Sequence, residues 1–205
     1  QKSGAKPANI PQVAVNEGFQ SALGMIPNSY LNYFYLQDEM IKHLQKQPRT
    51  RAQVVAELEA ALLKQYTNPE LHAKPKELDK RGGAHYSTVA ISLMLDIHLN
   101  AGTKHIVNVR NNGALLDLPV DAVIEVPATV DSKGATALAI GKLEPQIRGL
   151  IQHVKAYEEL TVEAAVSQDY DTALLALTTN PLMTSVNKAK RILDRFNAEH
   201  NLQLV

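Results

Sequence analysis

Apolar residues recur every three or four positions through the first third of the chain, a spacing typical of one face of an α-helix. Gly24, Pro27 and Pro48 interrupt this pattern, and Thr50 is a side chain that favours the N-cap position. The pattern predicts three helices: residues 15–23, a helix from an N-cap at Asn28 or Ser29 to about Lys46, and residues 51–65. Residues 66–80 contain two prolines and are expected to be irregular.

The period then changes from that of helices to that of strands. A strongly apolar helix is predicted over residues 87–100, closed by Gly102. Three strands follow, at residues 104–109, 122–126 and 135–140, separated by turn residues. The remainder, from about residue 144 to 201, is predicted to be helical with one break at Asn180-Pro181. Helices, a small sheet and further helices favour an α+β fold, and residues 1–205 are expected to form one domain.

Composition narrows the classes of function. The chain has 21 basic and 21 acidic residues among 205 and no long run of either sign, so no nucleic-acid partner is expected. It has no apolar run of about 18 residues and no cysteine, which favours a protein without a membrane span in the cytoplasm. The first residues, Gln1-Lys-Ser-Gly-Ala5, match neither a signal peptide nor a natural start, so we expect a piece of a longer protein.

The aromatic residues are concentrated in one short segment. Four of the ten tyrosines and phenylalanines lie between Tyr30 and Tyr35, in a sequence that also holds Tyr33 and Phe34. The cluster could simply be a packed helix face. A phenol has a reference pKa of about 10 and acts as a base near neutral pH only where a cation or metal stabilises the phenolate.

Two arginines are candidates for binding an anion. Arg51 is predicted in the first turn of a helix, where the helix dipole is unfavourable for a cation unless an anion is shared with the backbone N–H groups. Arg81-Gly82-Gly83 precedes the apolar helix, and its glycines permit close approach of a ligand or form a plain turn. Asn111-Asn112-Gly113 is predicted to be a turn. The seven histidines are scattered, and neither a zinc pattern nor a G-x-G-x-x-G loop is present.

These segments, in their order and spacing, resemble the C-terminal half of a family 4 glycoside hydrolase, with 6-phospho-β-glucosidases as the nearest relatives. The similarity runs from about Asn9 to Leu193. The segments that carry it are PNSYLNYFY (27–35), TR (50–51), RGGAHYS (81–87), NVRNNGALLDLP (108–119) and VIEVP (123–127).

The resemblance implies a fold like the lactate dehydrogenase C-terminal domain, with a small antiparallel sheet packed with several helices and the N-terminal Rossmann half absent. It implies a glycosidase that uses NAD and a divalent metal, usually manganese, in place of two carboxylates. In this family the sugar is oxidised at C3, a tyrosine removes the C2 proton, the aglycone is eliminated, and the hydride is finally returned. The substrates are 6-phosphorylated β-glucosides such as cellobiose 6-phosphate, and a homodimer or homotetramer is expected.

The resemblance also assigns site residues. Tyr30 matches the catalytic base, although Tyr33 is an alternative in so repetitive a segment, and Arg51 matches the arginine that binds the 6-phosphate. Arg81, Gly82 and Gly83 form a candidate active-site loop. No metal ligand and no cofactor-binding residue is expected in this chain, because the family's metal ligands and NAD loop belong to the N-terminal half.

Two other hypotheses remain open at the level of sequence. One is a lactate or malate dehydrogenase-like domain, which requires a catalytic histidine–aspartate pair that the sequence does not reveal. The other is a non-catalytic module that binds a sugar phosphate or another protein. The preference for α- or β-linked substrates and the identity of the aglycone also remain open.

Overall fold

The structure, a computed structural model, describes residues 15–81 and 86–204. The chain divides into two compact units, the first ending at Ser92 and the second beginning at Leu93. The first unit contains helices α1 (Glu17–Leu23), α2 (Asn32–Tyr35), α3 (Gln37–Gln45), α4 (Arg51–Tyr66) and α5 (Glu77–Arg81), with a 3-10 turn at Ser29–Leu31 before α2. Helix α6 (Tyr86–His98) crosses from the first unit into the second.

Capping residues fix the ends of two helices, and the sequence predicted two of them, the end at Gly24 and the start at Thr50. The side chain of Asn16 accepts a hydrogen bond from the backbone N–H of Phe19 at 3.0 Å, and Gly24 ends α1 with φ +66°. At the start of α4, Thr50 Oγ1 accepts from the N–H of Gln53 at 3.3 Å, and Gln53 Oε1 accepts from the N–H of Thr50 at 2.8 Å. This reciprocal pair is a capping box, and the predicted helix after Thr50 is confirmed.

The single helix predicted from about residue 29 to 46 is wrong. The chain leaves helical geometry at Leu36, with φ −127° and ψ 43°, and so divides this segment into the 3-10 turn, α2 and α3. No proline or glycine lies at the break. Tyr35, the residue before it, packs its ring on Phe19 of α1 with the centroids 5.0 Å apart. The break therefore lies next to a contact between residues 16 positions apart, which the local periodicity of the sequence does not show.

The irregular segment predicted at residues 66–80 contains a helix, which corrects that prediction. Helix α5 begins after Pro75, whose carbonyl accepts a hydrogen bond from the N–H of Leu78 at 3.2 Å. Proline is tolerated at the start of a helix, and the acidic residues of the first turn and basic residues of the last turn match the helix dipole.

The second unit contains an antiparallel sheet in the order β1-β2-β3, and the α+β prediction is confirmed. Its strands are β1 (Thr103–Arg110), β2 (Val123–Asp131) and β3 (Gly134–Ala137). Strand β2 continues past Pro127, beyond its predicted end at Val126. A tight hairpin joins β2 to β3 at Gly134, whose φ of +101° suits glycine.

One face of β2 forms the core of the second unit. Its buried residues alternate with exposed ones along the strand, as expected for a sheet with one covered face. Buried Ile124 and Val126 pack with residues of the segment that joins β1 to β2, namely Ala114, Leu115 and Leu118.

The last third of the chain is helical, but with one more break than predicted. It contains α7 (Pro145–Ser167), α8 (Tyr170–Thr179) and α9 (Val186–His200). The additional break lies at Gln168, which has φ 57°, and at Asp169, whose side chain accepts from the N–H of Thr172 at 2.6 Å. The cap at Asp169 therefore starts a new helix at a place where the apolar pattern of the sequence predicts an unbroken one. Among the helices described, none is long and apolar enough to cross a bilayer.

Candidate functional site

Tyr30 lies in the 3-10 turn Ser29–Leu31, which is capped by the preceding residue, Asn28. The side chain of Asn28 accepts a hydrogen bond from the N–H of Tyr30 at 3.0 Å, and its carbonyl accepts from the N–H of Leu31 at 2.8 Å. The residue after this turn, Asn32, is buried. The turn therefore holds the backbone of Tyr30 in one geometry, while 57% of the residue is exposed.

The neighbouring aromatic residues are arranged differently. Tyr35 contacts Phe19 and also Phe34, with the second pair of ring centroids 5.1 Å apart at an interplanar angle of 72°. Tyr33 and Tyr35 are half-buried. Tyr30 is thus the most exposed tyrosine of this cluster.

Arg51 is the first residue of α4, and its guanidinium reaches the end of α5. Nη2 donates to the carbonyl of Lys80 at 3.0 Å and to that of Arg81 at 3.1 Å. The last carbonyls of a helix carry partial negative charge. This contact offsets the unfavourable position of Arg51 at the start of α4, so no bound anion is needed for that purpose.

The contact also brings two predicted site residues together. Arg81 ends α5 directly beside the guanidinium of Arg51, and its own side chain is exposed. Gln65 of α4 also bonds Glu77 of α5, and this hydrogen bond lowers the pKa of the Glu77 carboxyl. Two contacts therefore hold α4 against α5. The loop residues Gly82 and Gly83 lie outside the described residues.

Tyr30 and the arginine pair lie on different elements of the first unit. The contacts described above fix each of them separately and do not join them. Among residues 15–81 and 86–204, no group of three or more His, Cys, Asp or Glu side chains could hold a metal ion.

One buried polar residue that we predicted only as part of a turn organises the second unit. Asn111 is fully buried, and its Nδ2 donates to the carbonyls of Leu115 at 2.9 Å, Leu118 at 3.1 Å and Pro119 at 2.9 Å. Its Oδ1 accepts from the N–H of Leu115 at 2.7 Å. The predicted turn at Asn112-Gly113 is present, with φ values of 46° and 87°. Asn111 thus closes the whole loop between β1 and β2.

The structure also contains a histidine–aspartate pair that the sequence did not reveal. Asp96, near the end of α6, bonds both Thr103 and His105 of β1 through Oδ2, and Thr103 Oγ1 lies 3.1 Å from His105 Nε2. The bond from Thr103, followed by that from His105, lowers the pKa of Asp96. The pair therefore ties α6 to β1 through one ring nitrogen of His105, Nε2. The sequence does contain a hint of this pair: Thr103 and His105 are two positions apart at the start of a predicted strand, so they share one face, and they follow the end of a helix closely.

Comparison with known proteins identifies the family. Residues 3–183 match the family described as "Family 4 glycosyl hydrolase C-terminal domain". The chain is 39% identical, over 96% of its length, to a "Probable 6-phospho-beta-glucosidase" of Bacillus subtilis (strain 168), of which it covers 45%. It is 38% identical, over 92% of its length, to the 6-phospho-beta-glucosidase of Thermotoga maritima, and again covers 45% of that protein.

The solved structures give the same result. The structure of the 6-phospho-beta glucosidase from Thermotoga maritima with NAD and glucose-6-phosphate has a TM-score of 0.83 and 36% sequence identity to this chain. The match covers 94% of this chain and 46% of that one. The chain thus spans about half the length of the relatives that it matches. It belongs to the family 4 glycosyl hydrolases, of which it carries the C-terminal part.

Proposed function

We propose that the complete protein is a 6-phospho-β-glucosidase that uses NAD and a divalent metal, and that residues 1–205 are its substrate-binding and dimerisation domain. The observation that carries this proposal is the similarity over nearly the whole chain to two proteins of that name. The Thermotoga maritima structure with NAD and glucose-6-phosphate supports the cofactor and the phosphorylated sugar. A second structure of that enzyme, with manganese, NAD+ and glucose-6-phosphate, supports manganese as the metal.

Within residues 15–81 and 86–204, the side chains do not fit a metal site, and the sequence lacks a dinucleotide fingerprint. The sequence has no cysteine and no glycine-rich dinucleotide loop, and its described residues offer no cluster of metal ligands. We therefore assign NAD and manganese to the remainder of the complete protein. The chemistry that we derive for this chain concerns its own side chains.

Tyr30 is the proposed base that takes the C2 proton of the sugar. This role is supported by the exposure of the residue and by its backbone, which Asn28 fixes, because a base must be held in position to act on a bound sugar. Tyr33 and Tyr35 are half-buried, and they are assigned to packing around this turn.

Arg51, with Arg81 beside it, is the proposed site for the 6-phosphate. Among the described residues, both hydrogen bonds of the Arg51 guanidinium are made by Nη2, which leaves Nη1 and Nε for a ligand. The carbonyls of Lys80 and Arg81 fix the orientation of the Arg51 guanidinium before a ligand binds. A fixed guanidinium loses little entropy when it binds a phosphate, and it can bind it through two hydrogen bonds.

The finer assignments follow from this function. We propose phosphorylated β-linked disaccharides such as cellobiose 6-phosphate as substrates, a cytoplasmic location where such sugar phosphates occur, and a homodimer or homotetramer. The preference for β-linkage is supported by the names of the two relatives given above.

The test is turnover by the complete protein. We expect release of nitrophenol from 4-nitrophenyl β-glucoside 6-phosphate, with loss of activity after removal of metal and recovery with Mn²⁺. Unphosphorylated and α-linked analogues are the controls. Because the hydride is returned to the sugar, no stoichiometric NADH should accumulate. Oxidation of a hydroxy acid with one NADH per product would support the dehydrogenase hypothesis instead. Binding of glucose-6-phosphate without turnover of any glycoside would support a non-catalytic module.

A further inference from the structure

Asn28 sets the backbone of the turn that carries Tyr30. It makes two hydrogen bonds there: its Oδ1 accepts from the N–H of Tyr30 at 3.0 Å, and its carbonyl accepts from the N–H of Leu31 at 2.8 Å. Asn28 itself is extended, with φ −60° and ψ 141°, and the chain turns directly after it. The direction in which Tyr30 leaves the backbone therefore depends on this one asparagine.

The same kind of turn occurs at two other asparagines of this chain, Asn68 and Asn180. At each of them the side-chain oxygen accepts from the N–H two residues later, and the carbonyl accepts from the N–H three residues later. In both of those turns a proline follows the asparagine, Pro69 and Pro181, whereas Ser29 occupies that position in the turn described above. A proline ring restricts φ before any hydrogen bond forms. The turn without proline therefore depends more strongly on the side chain of its asparagine.

The position of a general base controls the rate of the proton transfer that it performs. The base must lie within hydrogen-bond reach of the proton, and a misplacement of about 1 Å can cost about 10²-fold in rate. Tyr30 is 57% exposed in this chain, so the geometry of its backbone contributes strongly to the position of its phenol. The hydrogen bonds made by Asn28 act on that geometry directly.

We infer that Asn28 is a positioning residue for the glycosidase reaction: through the capped turn it holds the phenol of Tyr30 where the C2 proton of the sugar is removed. This inference rests on the proposed function, which assigns the base to Tyr30. It adds a residue that acts only through Tyr30. Loss of the Asn28 side chain therefore slows proton removal and leaves the binding of the substrate unchanged.

The test begins with Asn28→Ala in the complete protein. Asn28 is exposed, so its replacement opens no cavity in the core. We expect kcat for 4-nitrophenyl β-glucoside 6-phosphate, and the rate of deuterium incorporation at C2, to fall by about 10- to 100-fold. KM should stay within about twofold of wild type. The matched control is Asn180→Ala, which removes the equivalent bond from a turn of the second unit and should leave kcat within about twofold. An unchanged kcat for Asn28→Ala, or equal losses in the two variants, would overturn the inference.

Two substitutions that restore the turn should restore the rate. Asn28→Ser keeps a side-chain oxygen that accepts from a backbone N–H, and serine caps nearly as well as asparagine. Ser29→Pro, combined with Asn28→Ala, restricts φ in the way that Pro69 and Pro181 do in the other two turns. The extended geometry of residue 28 is the one favoured before a proline, and proline is tolerated at the first position of a helix. Recovery of kcat in both variants supports the inference, and failure of both would overturn it.

A double variant shows whether Asn28 acts through Tyr30. In the Tyr30→Phe protein, Asn28→Ala should change the remaining turnover by less than about twofold, because the hydroxyl that Asn28 positions is already absent. A further loss as large as that in the wild-type background would overturn the inference. The proposed function fails in a different way: undiminished exchange at C2 by Tyr30→Phe refutes the proposed base and this inference with it. Loss of exchange by Tyr30→Phe together with wild-type kcat for Asn28→Ala refutes the inference alone.

Discussion

Replacement of Asn111 by alanine should be among the most destabilising single changes in the second unit. The substitution removes four hydrogen bonds at a fully buried site. The carbonyl of Pro119 keeps a bond from the N–H of Ala122 at 3.2 Å, so the main loss falls on the N–H of Leu115 and the carbonyls of Leu115 and Leu118. A buried polar group without a partner costs about 1–3 kcal/mol. With partial relaxation and entry of water, we expect the free energy of unfolding to fall by about 3–5 kcal/mol.

Asn111→Asp separates this hydrogen-bonding role from simple packing. The carboxylate has the shape of the amide, but it cannot donate to the three carbonyls that surround it. Its pKa should therefore be raised in the folded state, and its penalty should diminish as the pH falls from 7 towards 5, because the folded protein takes up a proton. Urea unfolding followed by circular dichroism measures both variants. Asn108→Ala, at an exposed position of β1, is the control, with an expected change within about 0.5 kcal/mol. A loss below about 1 kcal/mol for Asn111→Ala would refute this role of Asn111.

Two further predictions concern charged groups. In the complete protein, Arg51→Ala should weaken the binding of phosphorylated substrates by one to two decades, about 1.5–3 kcal/mol, and affect unphosphorylated analogues far less. Steady-state kinetics measure both substrate classes. Equal losses on the two classes would show that Arg51 only links α4 to α5. The depressed pKa of Asp96 means that its bonds to Thr103 and His105 stabilise the fold above the ordinary aspartate pKa, and that this contribution is lost as the pH falls through the folded value. Asp96→Asn should therefore be less stable than wild type near pH 7 but approach it in urea unfolding as the pH falls below the ordinary aspartate pKa of about 4; a difference independent of pH would contradict this.

Local signals in the sequence predicted much of the fold. Gly24 ends α1 and Thr50 starts α4, because a glycine readily adopts the left-handed conformation that ends a helix and a threonine side chain caps the first backbone N–H groups. Turn residues and the change of period likewise located the three strands. Such signals act between residues a few positions apart, and a single sequence displays them directly.

The features that the sequence did not reveal depend on distant residues. The break at Leu36 accompanies the contact of Tyr35 with Phe19, and the guanidinium of Arg51 meets carbonyls 29 and 30 residues later. Asn111 is fully buried, but in the sequence it looks like any asparagine of an exposed turn. For the candidate site, the sequence provided the residues through their resemblance to a family. The structure added that Tyr30 is exposed on a fixed turn and that Arg51 adjoins Arg81.

The most direct test of the proposed chemistry is the exchange of one hydrogen. If Tyr30 removes the C2 proton, Tyr30→Phe in the complete protein should fold normally and bind substrate nearly as before, since only a hydroxyl of a largely exposed residue is lost. Its turnover should fall by about 10²–10⁴, the usual contribution of a positioned general base. The matched variants Tyr33→Phe and Tyr35→Phe should retain activity.

The measurement is a proton NMR time course of the sugar product formed in deuterated water by each of the three variants. Wild type, Tyr33→Phe and Tyr35→Phe should incorporate deuterium at C2, and Tyr30→Phe should not. Undiminished incorporation by Tyr30→Phe would contradict its role as the base, and loss of incorporation by Tyr33→Phe alone would transfer that role to Tyr33.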